Sequence, residues 1–305
     1  MDKPSILVIG SAGVDLTVKL KRLPKPGETV VEGSFSFAYG AKGANQAVAA
    51  ARLGADLTFV ANVGADDYGT QCIDRYVDEG MNVDYISRDD NHSTAVAFIF
   101  VDDKGENAIG VASGANMQLS KETVDAARGI IDKHGVMLLQ LETPLETNRH
   151  AAKLGAEAGL KVVLNPAPAF ELDSDMLSLI DVLTPNETEA EILTGIEVTD
   201  EATANQAAKY LKDMGASTVI ITLGAAGSYL LTDSKAMLIP SKKVDAVDST
   251  AAGDAFSGAL CYVLAKGEEI EAAVRFANMA GAFAATRLGA QPSMPTAAEL
   301  QEFLK

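Results

Sequence analysis

The stretch DSTAAGDAFSGAL (248–260) places two aspartates six residues apart, around a run of small residues that leads into an apolar, helix-like segment. Asp254 stands just behind Gly253, where that helix would begin. Its carboxylate is therefore an N-terminal cap, a member of an ion pair, or a working group. The first amides of such a helix have no intrahelical partner and lie at its positive end, which makes an anion site. Small side chains at Ala251, Ala252 and Gly253 leave the backbone open to a phosphate. A carboxylate there can take a proton from an attacking hydroxyl while the adjacent amides hold a transferring phosphoryl group. Gly253, Ser257 and Cys261 recur every four residues and would give this helix one closely packing face.

Three further segments carry residues of the same kind. In TPNETEAE (184–191), Asn186 and Glu189 share one face of a helix start. Two readings stand side by side: an amide oxygen and a carboxylate holding Mg²⁺ largely through waters, or a reciprocal capping box. In ITLGAAGSYLL (221–231), Thr222 offers a hydroxyl, and Gly224 and Gly227 let a flat or phosphorylated ligand approach the backbone. YGAKGANQAVAAARLG (39–54) is a glycine-punctuated loop opening a helix, with Lys42 and Asn45 among the small residues. Asp15, Lys42, Asn45 and Glu142 all fall at strand or loop ends and together offer the donors and acceptors a polyhydroxylated ligand needs. His92, His134 and His150 are scattered and read as structural or solvated. The chain has no G-x-x-x-x-G-K-[ST], no G-x-G-x-x-G after a first strand, no H-E-x-x-H and no G-x-S-x-G.

The elements that must position these residues alternate regularly. From about residue 130, short apolar runs such as VMLLQL (136–141), KVVLNPA (161–167), DVLTPN (181–186) and STVIITLG (217–224) are separated by helical stretches that end in glycine. That pattern predicts βαβ units in a mostly parallel sheet with helices on both faces. The first third adds strand-like TVVEGSFSFAYG (29–40) and STAVAFIFVDDKGENAIGV (93–111), the latter with a DDKG hairpin turn. These excursions, within about 12–40 and 93–113, would pair into a small sheet suited to a lid over the core. One α/β domain spanning 1–305 is expected, with ligands beyond the carboxyl ends of the strands.

Composition narrows the partners. A net charge of −17 argues against nucleic acid and anionic membranes, either of which would need a basic face. The two cysteines, Cys72 and Cys261, make no disulfide framework and have no metal-ligand spacing. The N-terminal apolar run is too short for a signal peptide, and no run approaches the roughly 18 residues of a membrane span. A protein of the reducing cytoplasm is the expectation.

Taken in order, GSAGVD, PGETV, GAKGANQAVAAA, STAVAFIFVDDKGENAIG, LQLETPLE, NPAPA, TPNETEAE, ITLGAAG and DSTAAGDAFSGAL, with GAQPSMP near the end, resemble the ribokinase branch of the PfkB-type carbohydrate kinases. The resemblance implies a three-layer αβα core with a small β-sheet lid, and ATP-dependent phosphorylation of D-ribose at O5. It makes Asp254 the base and the amides of Ala251, Ala252, Gly253 and Asp254 the anion hole. Asn186 and Glu189 would serve nucleotide phosphate and Mg²⁺. Thr222, Leu223, Gly224, Ala225, Ala226 and Gly227 would line the ATP site, with Gly253 nearby and Asn278 towards the adenine. The sugar would lie among Gly13, Asp15, Ala41, Lys42, Gly43, Asn45, Glu142 and Asp254. A monovalent cation, K⁺, would sit at Asp248, Thr250, Ala284, Arg287, Gly289 and Ser293, several of them through backbone carbonyls. The family also implies a homodimer through the lid strands.

Two departures fall on the sugar side. Members of the ribose type carry asparagine in GS-x-N-x-D, where this chain has Gly13, and glycine where GAKGAN has Ala41. A site that loses a hydrogen bond to a hydroxyl loses its means of rejecting analogues without that hydroxyl. A deoxyribokinase, or another PfkB-type sugar or nucleoside kinase, is therefore the alternative. Ala226 replaces a larger polar residue without consequence for ATP. A non-catalytic sugar-binding regulator would be expected to lose its base or anion hole, and this chain keeps both motifs.

Overall fold

The structure, a computed structural model, describes residues 3–305. The chain opens with β1 (Ser5–Ile9) and leaves the core at once through β2 (Gly13–Lys19) and β3 (Ser34–Gly40). It returns through α1 (Lys42–Arg52), β4 (Asp56–Gly64), α2 (Asp67–Asp78) and β5 (Asn82–Asp89). A second excursion follows, the hairpin of β6 (Ala95–Val101) and β7 (Asn107–Ala112), turned at Asp102–Gly105. Short helices α3 (Lys121–Ala126) and α4 (Arg128–Ile131) lead to β8 (Val136–Gln140), α5 (Leu145–Glu157) and β9 (Lys161–Asn165). Then come α6 (Ser174–Leu177), β10 (Val182–Leu183), α7 (Glu187–Thr194), α8 (Glu201–Asp213) and β11 (Thr218–Thr222). The antiparallel edge β12 (Ser228–Leu231) and β13 (Ala236–Ile239) precedes three helices, α9 (Ala252–Ala265), α10 (Ile270–Ala284) and α11 (Ala297–Phe303).

Nine strands form one sheet in the order β13-β12-β11-β10-β9-β8-β1-β4-β5, parallel from β11 to β5. Its central strands are mostly apolar because both faces are covered. Ile6, Val8, Leu138 and Val163 face the layer of α1, α9 and α10, while Leu7, Ile9, Leu139 and Leu164 face the layer of α5 and α8. The expected three-layer αβα core is thus observed. Helix α9 approaches α1 most closely at Gly258, where a Cβ would lie 2.6 Å from the Gln46 carbonyl oxygen. Of the small-residue face expected at Gly253, Ser257 and Cys261, the last two are buried, and Gly253 alone is exposed, with nothing near the position of a Cβ.

The smaller sheet has the order β3-β2-β6-β7 and stands beyond the carboxyl end of β1. β2 pairs antiparallel with β3 and parallel with β6, so the two excursions do join. β3 begins only at Ser34, later than TVVEGSFSFAYG suggested. Glu32 has φ 68°, a left-handed backbone that cannot extend a strand.

Candidate active site

The two excursions and the strand ends enclose two adjoining cavities, and Lys42 lines both. The wider, about 380 Å³, lies between the small sheet and the core, with Gly13, Asp15, Ala41, Asn116 and Glu142 in its wall. The other, about 220 Å³, is walled by Asn186, Glu189, Thr222, Gly253 and Asp254.

Helix α1 carries the residues between them, and its start is held by backbone fit. Gly43 packs against the β1–β2 turn so closely that a Cβ would lie 2.4 Å from the Ser11 amide nitrogen. The Gly43 amide donates to Ser11 Oγ (3.0 Å), and Ser11 Oγ in turn donates to Glu142 Oε2 (2.5 Å). Glu142 Oε2 also accepts from the Lys42 amide (2.9 Å), so this carboxylate caps α1 as well as facing the wider cavity. Asp15 fits because position 40 is glycine: a Cβ there would lie 2.4 Å from its carboxylate. Burial, then Glu142 and Asp254, push the Asp15 carboxyl up to about 6. Burial disfavours the Lys42 ammonium, but Asp254, Glu142 and Glu189 outweigh it and hold its pKa above the ordinary value. Lys42 nonetheless makes no salt bridge among the described residues, which leaves its ammonium available to a ligand.

Asp254 is 6% exposed and does not cap its helix. The capping position of α9 is Ala251, at φ 58°, with no side-chain bond to the first turn. Asp254 Oδ2 instead accepts from Asn45 Nδ2 (3.0 Å) and Oδ1 from Gln46 Nε2 (2.9 Å). Burial raises its pKa, against the opposing effects of Lys42, Gln46 and Asn45. A buried carboxylate with two amide donors and no fixed cation is what a base at this position requires. The Ala252 amide donates to the Ser249 carbonyl (3.2 Å), so it is partly withdrawn from the expected anion hole. The amides of Ala251, Gly253 and Asp254 have no protein acceptor among the described residues.

Asn186 and Glu189 form the reciprocal capping box: Asn186 Oδ1 accepts from the Glu189 amide (2.8 Å), and Glu189 Oε2 from the Asn186 amide (2.9 Å). Both still wall the smaller cavity, where burial raises the pKa of Glu189. Its Oε1 has no protein donor, so the pair fits a Mg²⁺ held through water rather than directly. After Thr222 the chain turns through Leu223, Gly224, Ala225 and Ala226 in one 3₁₀ turn, with 224–226 exposed. Gly227, at φ 108°, lies where a Cβ would meet the Ile239 carbonyl oxygen at 2.2 Å. Asn278, expected towards the adenine, is fixed by two hydrogen bonds. Its Oδ1 accepts from Ser228 Oγ (2.6 Å) and its Nδ2 donates to the Ile239 carbonyl (3.0 Å), so this buried amide ties α10 to the sheet edge.

The positions expected around a monovalent cation lie on two loops that the structure joins. Asp248 Oδ2 accepts from the Gly289 amide (2.9 Å), and its Oδ1 accepts from Thr250, leaving this carboxylate as a tie between loops. The Val247 and Asp248 amides both donate to the Ala285 carbonyl, next to Ala284. Ser293 Oγ donates to Ala290, and the Arg287 side chain pairs with Glu299, so what these residues have left for a cation is mainly backbone oxygen. That donor set fits a hard, weakly charged ion. Among the described residues no cluster of three or more His, Cys, Asp or Glu side chains could hold a metal.

Sequence reasoning missed Ser11, Gln46, Asn116 and Asn165. Asn116 Oδ1 accepts from the Ala12 amide (3.0 Å) beside Gly13, and the residue walls the wider cavity. Gly13 is itself crowded: a Cβ would lie 2.6 Å from the Ala95 carbonyl oxygen. The room an asparagine would need is thus taken by the backbone of β6.

Residues 3–297 match the model of the pfkB family carbohydrate kinases. The chain is 44% identical over 303 residues to a ribokinase of Haemophilus influenzae, covering 99% of each. It is 39% identical over 300 residues to a deoxyribokinase of Salmonella typhi, covering 98% of each. The structure of an Arabidopsis thaliana ribokinase complexed with ribose and ATP superposes with a TM-score of 0.91 at 32% identity, over 100% of this chain and 99% of that one. With matches of this extent in sequence and structure, the chain belongs to the pfkB family of carbohydrate kinases.

Proposed function

We propose that the protein phosphorylates a free pentose, D-ribose, at O5 with ATP, and that Asp254 is the base. The observation that carries this reading is Asp254 itself, buried at the start of α9 between two amide donors and facing the smaller cavity beside Lys42. In the wider cavity Asp15, Lys42 and Glu142 bond the sugar hydroxyls, with Asn45 behind them on Asp254, while the lid strands β2, β3, β6 and β7 exclude water. Asp254 takes the proton of the 5-hydroxyl as that oxygen bonds the γ-phosphorus of ATP. The bond from phosphorus to the β–γ bridging oxygen breaks, and ADP leaves. The free amides of Ala251, Gly253 and Asp254 face the charge on the transferring group. Thr222 to Gly227 form the platform under the nucleotide. Asn186 and Glu189 would hold a Mg²⁺ through water, and the ion would neutralise phosphate charge. Asp248, Thr250, Ala284, Arg287, Gly289 and Ser293 would hold K⁺ through the loop that shapes the start of α9.

A second substrate is favoured by one observation. Gly13 stands in the sugar cavity in place of a polar side chain and Ala41 adds a methyl group there, and a deoxyribokinase is among the relatives. Turnover of D-ribose and 2-deoxy-D-ribose in parallel, each with and without K⁺, separates the readings. A strong preference for ribose supports the first, and equal or better use of 2-deoxyribose the second. The lid also exposes Phe35, Ile109 and Val111, each more than half exposed, an apolar area that the lid of a second copy would cover in a homodimer. Among the described residues no helix is long and apolar enough to cross a membrane. The free, buried thiols of Cys72 and Cys261 support the reading of a cytoplasmic enzyme.

A further inference from the structure

Behind Asp254 runs a chain of three amide side chains, the buried Gln46 and Gln140 and the half-buried Asn165, whose polarity is dictated from one end. Asn165 Nδ2 donates to the Thr184 carbonyl (3.0 Å), a group that only accepts, so Asn165 Oδ1 must face Gln46. Gln46 Nε2 donates to that Oδ1 and to Asp254 Oδ1, both at 2.9 Å. Gln46 Oε1 then accepts from Gln140 Nε2 (2.7 Å). Reversing any one of these amides would set oxygen against oxygen or N–H against N–H. A main-chain carbonyl on the far side of Asn165 thus obliges Gln46 to present N–H, never oxygen, to Asp254.

This arrangement is unfavourable for folding alone. Gln46 and Gln140 are fully buried, and Gln140 Oε1 has no partner. That oxygen lies against Gly10, where a Cβ would overlap it at 2.0 Å. An unpaired buried oxygen costs stability that an apolar pair of similar size would not. Neither glutamine lines either cavity, so neither can act on a ligand directly.

We propose that Gln46, oriented by Asn165 and Gln140, is a positioning residue that locks the Asp254 carboxylate in the orientation from which it takes the substrate proton. The inference rests on Asp254 being the general base. With one amide N–H on each oxygen, the carboxylate is held against rotation, and the incoming proton goes to a lone pair the amides leave free. The charged groups around it are Lys42, which favours the ionised form, and Glu142, Asp15 and Glu189, which oppose it. Loss of the Gln46 donor tips that balance towards protonation.

The test is a double-mutant cycle of Gln46→Met with Asp254→Asn, read at saturating sugar and ATP. Gln46→Met alone lowers kcat roughly 10–100-fold, the value of one hydrogen bond to a charged group, with both KM values little changed. The acid limb of its pH–kcat profile moves to higher pH. In the Asp254→Asn background the same change alters residual kcat by less than about twofold, because the group it positions is gone. An equal loss in both backgrounds would mean a structural role and overturn the proposal. If Asp254→Asn alone keeps near-normal turnover, the base assignment fails and the proposal falls with it. Should Gln46→Met not fold, Gln140→Met reports on the same chain: a smaller fall in kcat with the same pH displacement is expected, and an unchanged kcat overturns the proposal.

Discussion

The two cavities that meet at Lys42 are built on different principles. The smaller is walled by helix starts and strand ends, where the main-chain amides of Ala251, Gly253 and Asp254 have no protein acceptor among the described residues. The wider is walled by side chains and by the spacing of β2 against β3 and β6, where Gly13, Ala95 and Gly40 set what fits. Backbone amides survive nearly any substitution that keeps the fold, whereas strand spacing does not. Gly13 and Ala41, the two departures on the sugar side, both wall the wider cavity, whereas Ala226 on the nucleotide side walls neither.

The sharpest way to break this contrast is Asp254→Asn. It should lower kcat by roughly 10²–10⁴ while leaving sugar affinity largely intact, as measured by initial rates and sugar titration. Comparable losses of turnover and binding would show that the two cavities do not divide the work in this way. Asp15→Asn should do the reverse, weakening sugar binding by roughly 10–100-fold with the KM for ATP unchanged. It should also raise the melting temperature of the ligand-free protein. The pKa of Asp15 is raised from 3.8 to about 6, so the folded chain holds this proton more tightly than the unfolded chain does. The ionised group costs stability fully above about pH 6, and that cost fades as pH falls towards 4. Sugar KM should rise over the same interval in the parent enzyme and stay flat in the variant.

Smaller effects sharpen the strand-spacing argument. Gly13→Asn, which restores the family residue, should destabilise by about 1–3 kcal/mol, because β6 must give way to the new side chain. It should not raise preference for ribose; a clear gain would mean that β2 and β6 part easily. Ala41→Gly should stabilise by about 1 kcal/mol, since φ 73°, ψ 140° is a backbone that glycine adopts far more readily than alanine. Thermal unfolding checks both.

Much of this division was legible before the structure. Lys42, Asn45 and Asp254 sit inside short motifs whose glycines and helix starts announce close backbone approach, and the alternation of apolar runs announces the parallel sheet. What was hidden depends on pairing between distant segments. Gln46 looked like one more residue of α1, yet its partners lie 119 and 208 positions away. Gly13 looked like a missing contact, and only the register with Ala95 shows that its place is taken. Asn278 was expected towards the adenine from the family resemblance alone, and its hydrogen bonds to Ser228 and Ile239 were not legible in the sequence. The choice between cap and working group at Asp254 likewise needed the third dimension, since N-terminal spacing is common to both.

One residue, Ala41, joins the last strand residue of the lid, Gly40, to Lys42 at the start of α1. The covering strand and the helix bearing Lys42, Asn45 and Gln46 are therefore two arms of a single lever with one pivot. A tilt of β3 is either absorbed by rotation at that pivot or delivered to the groups around Asp254. A methyl group at a left-handed φ narrows the range of rotation. With alanine at the pivot, less of any tilt of β3 can be taken up by rotation there, so strand and helix are bound to move more nearly as one body.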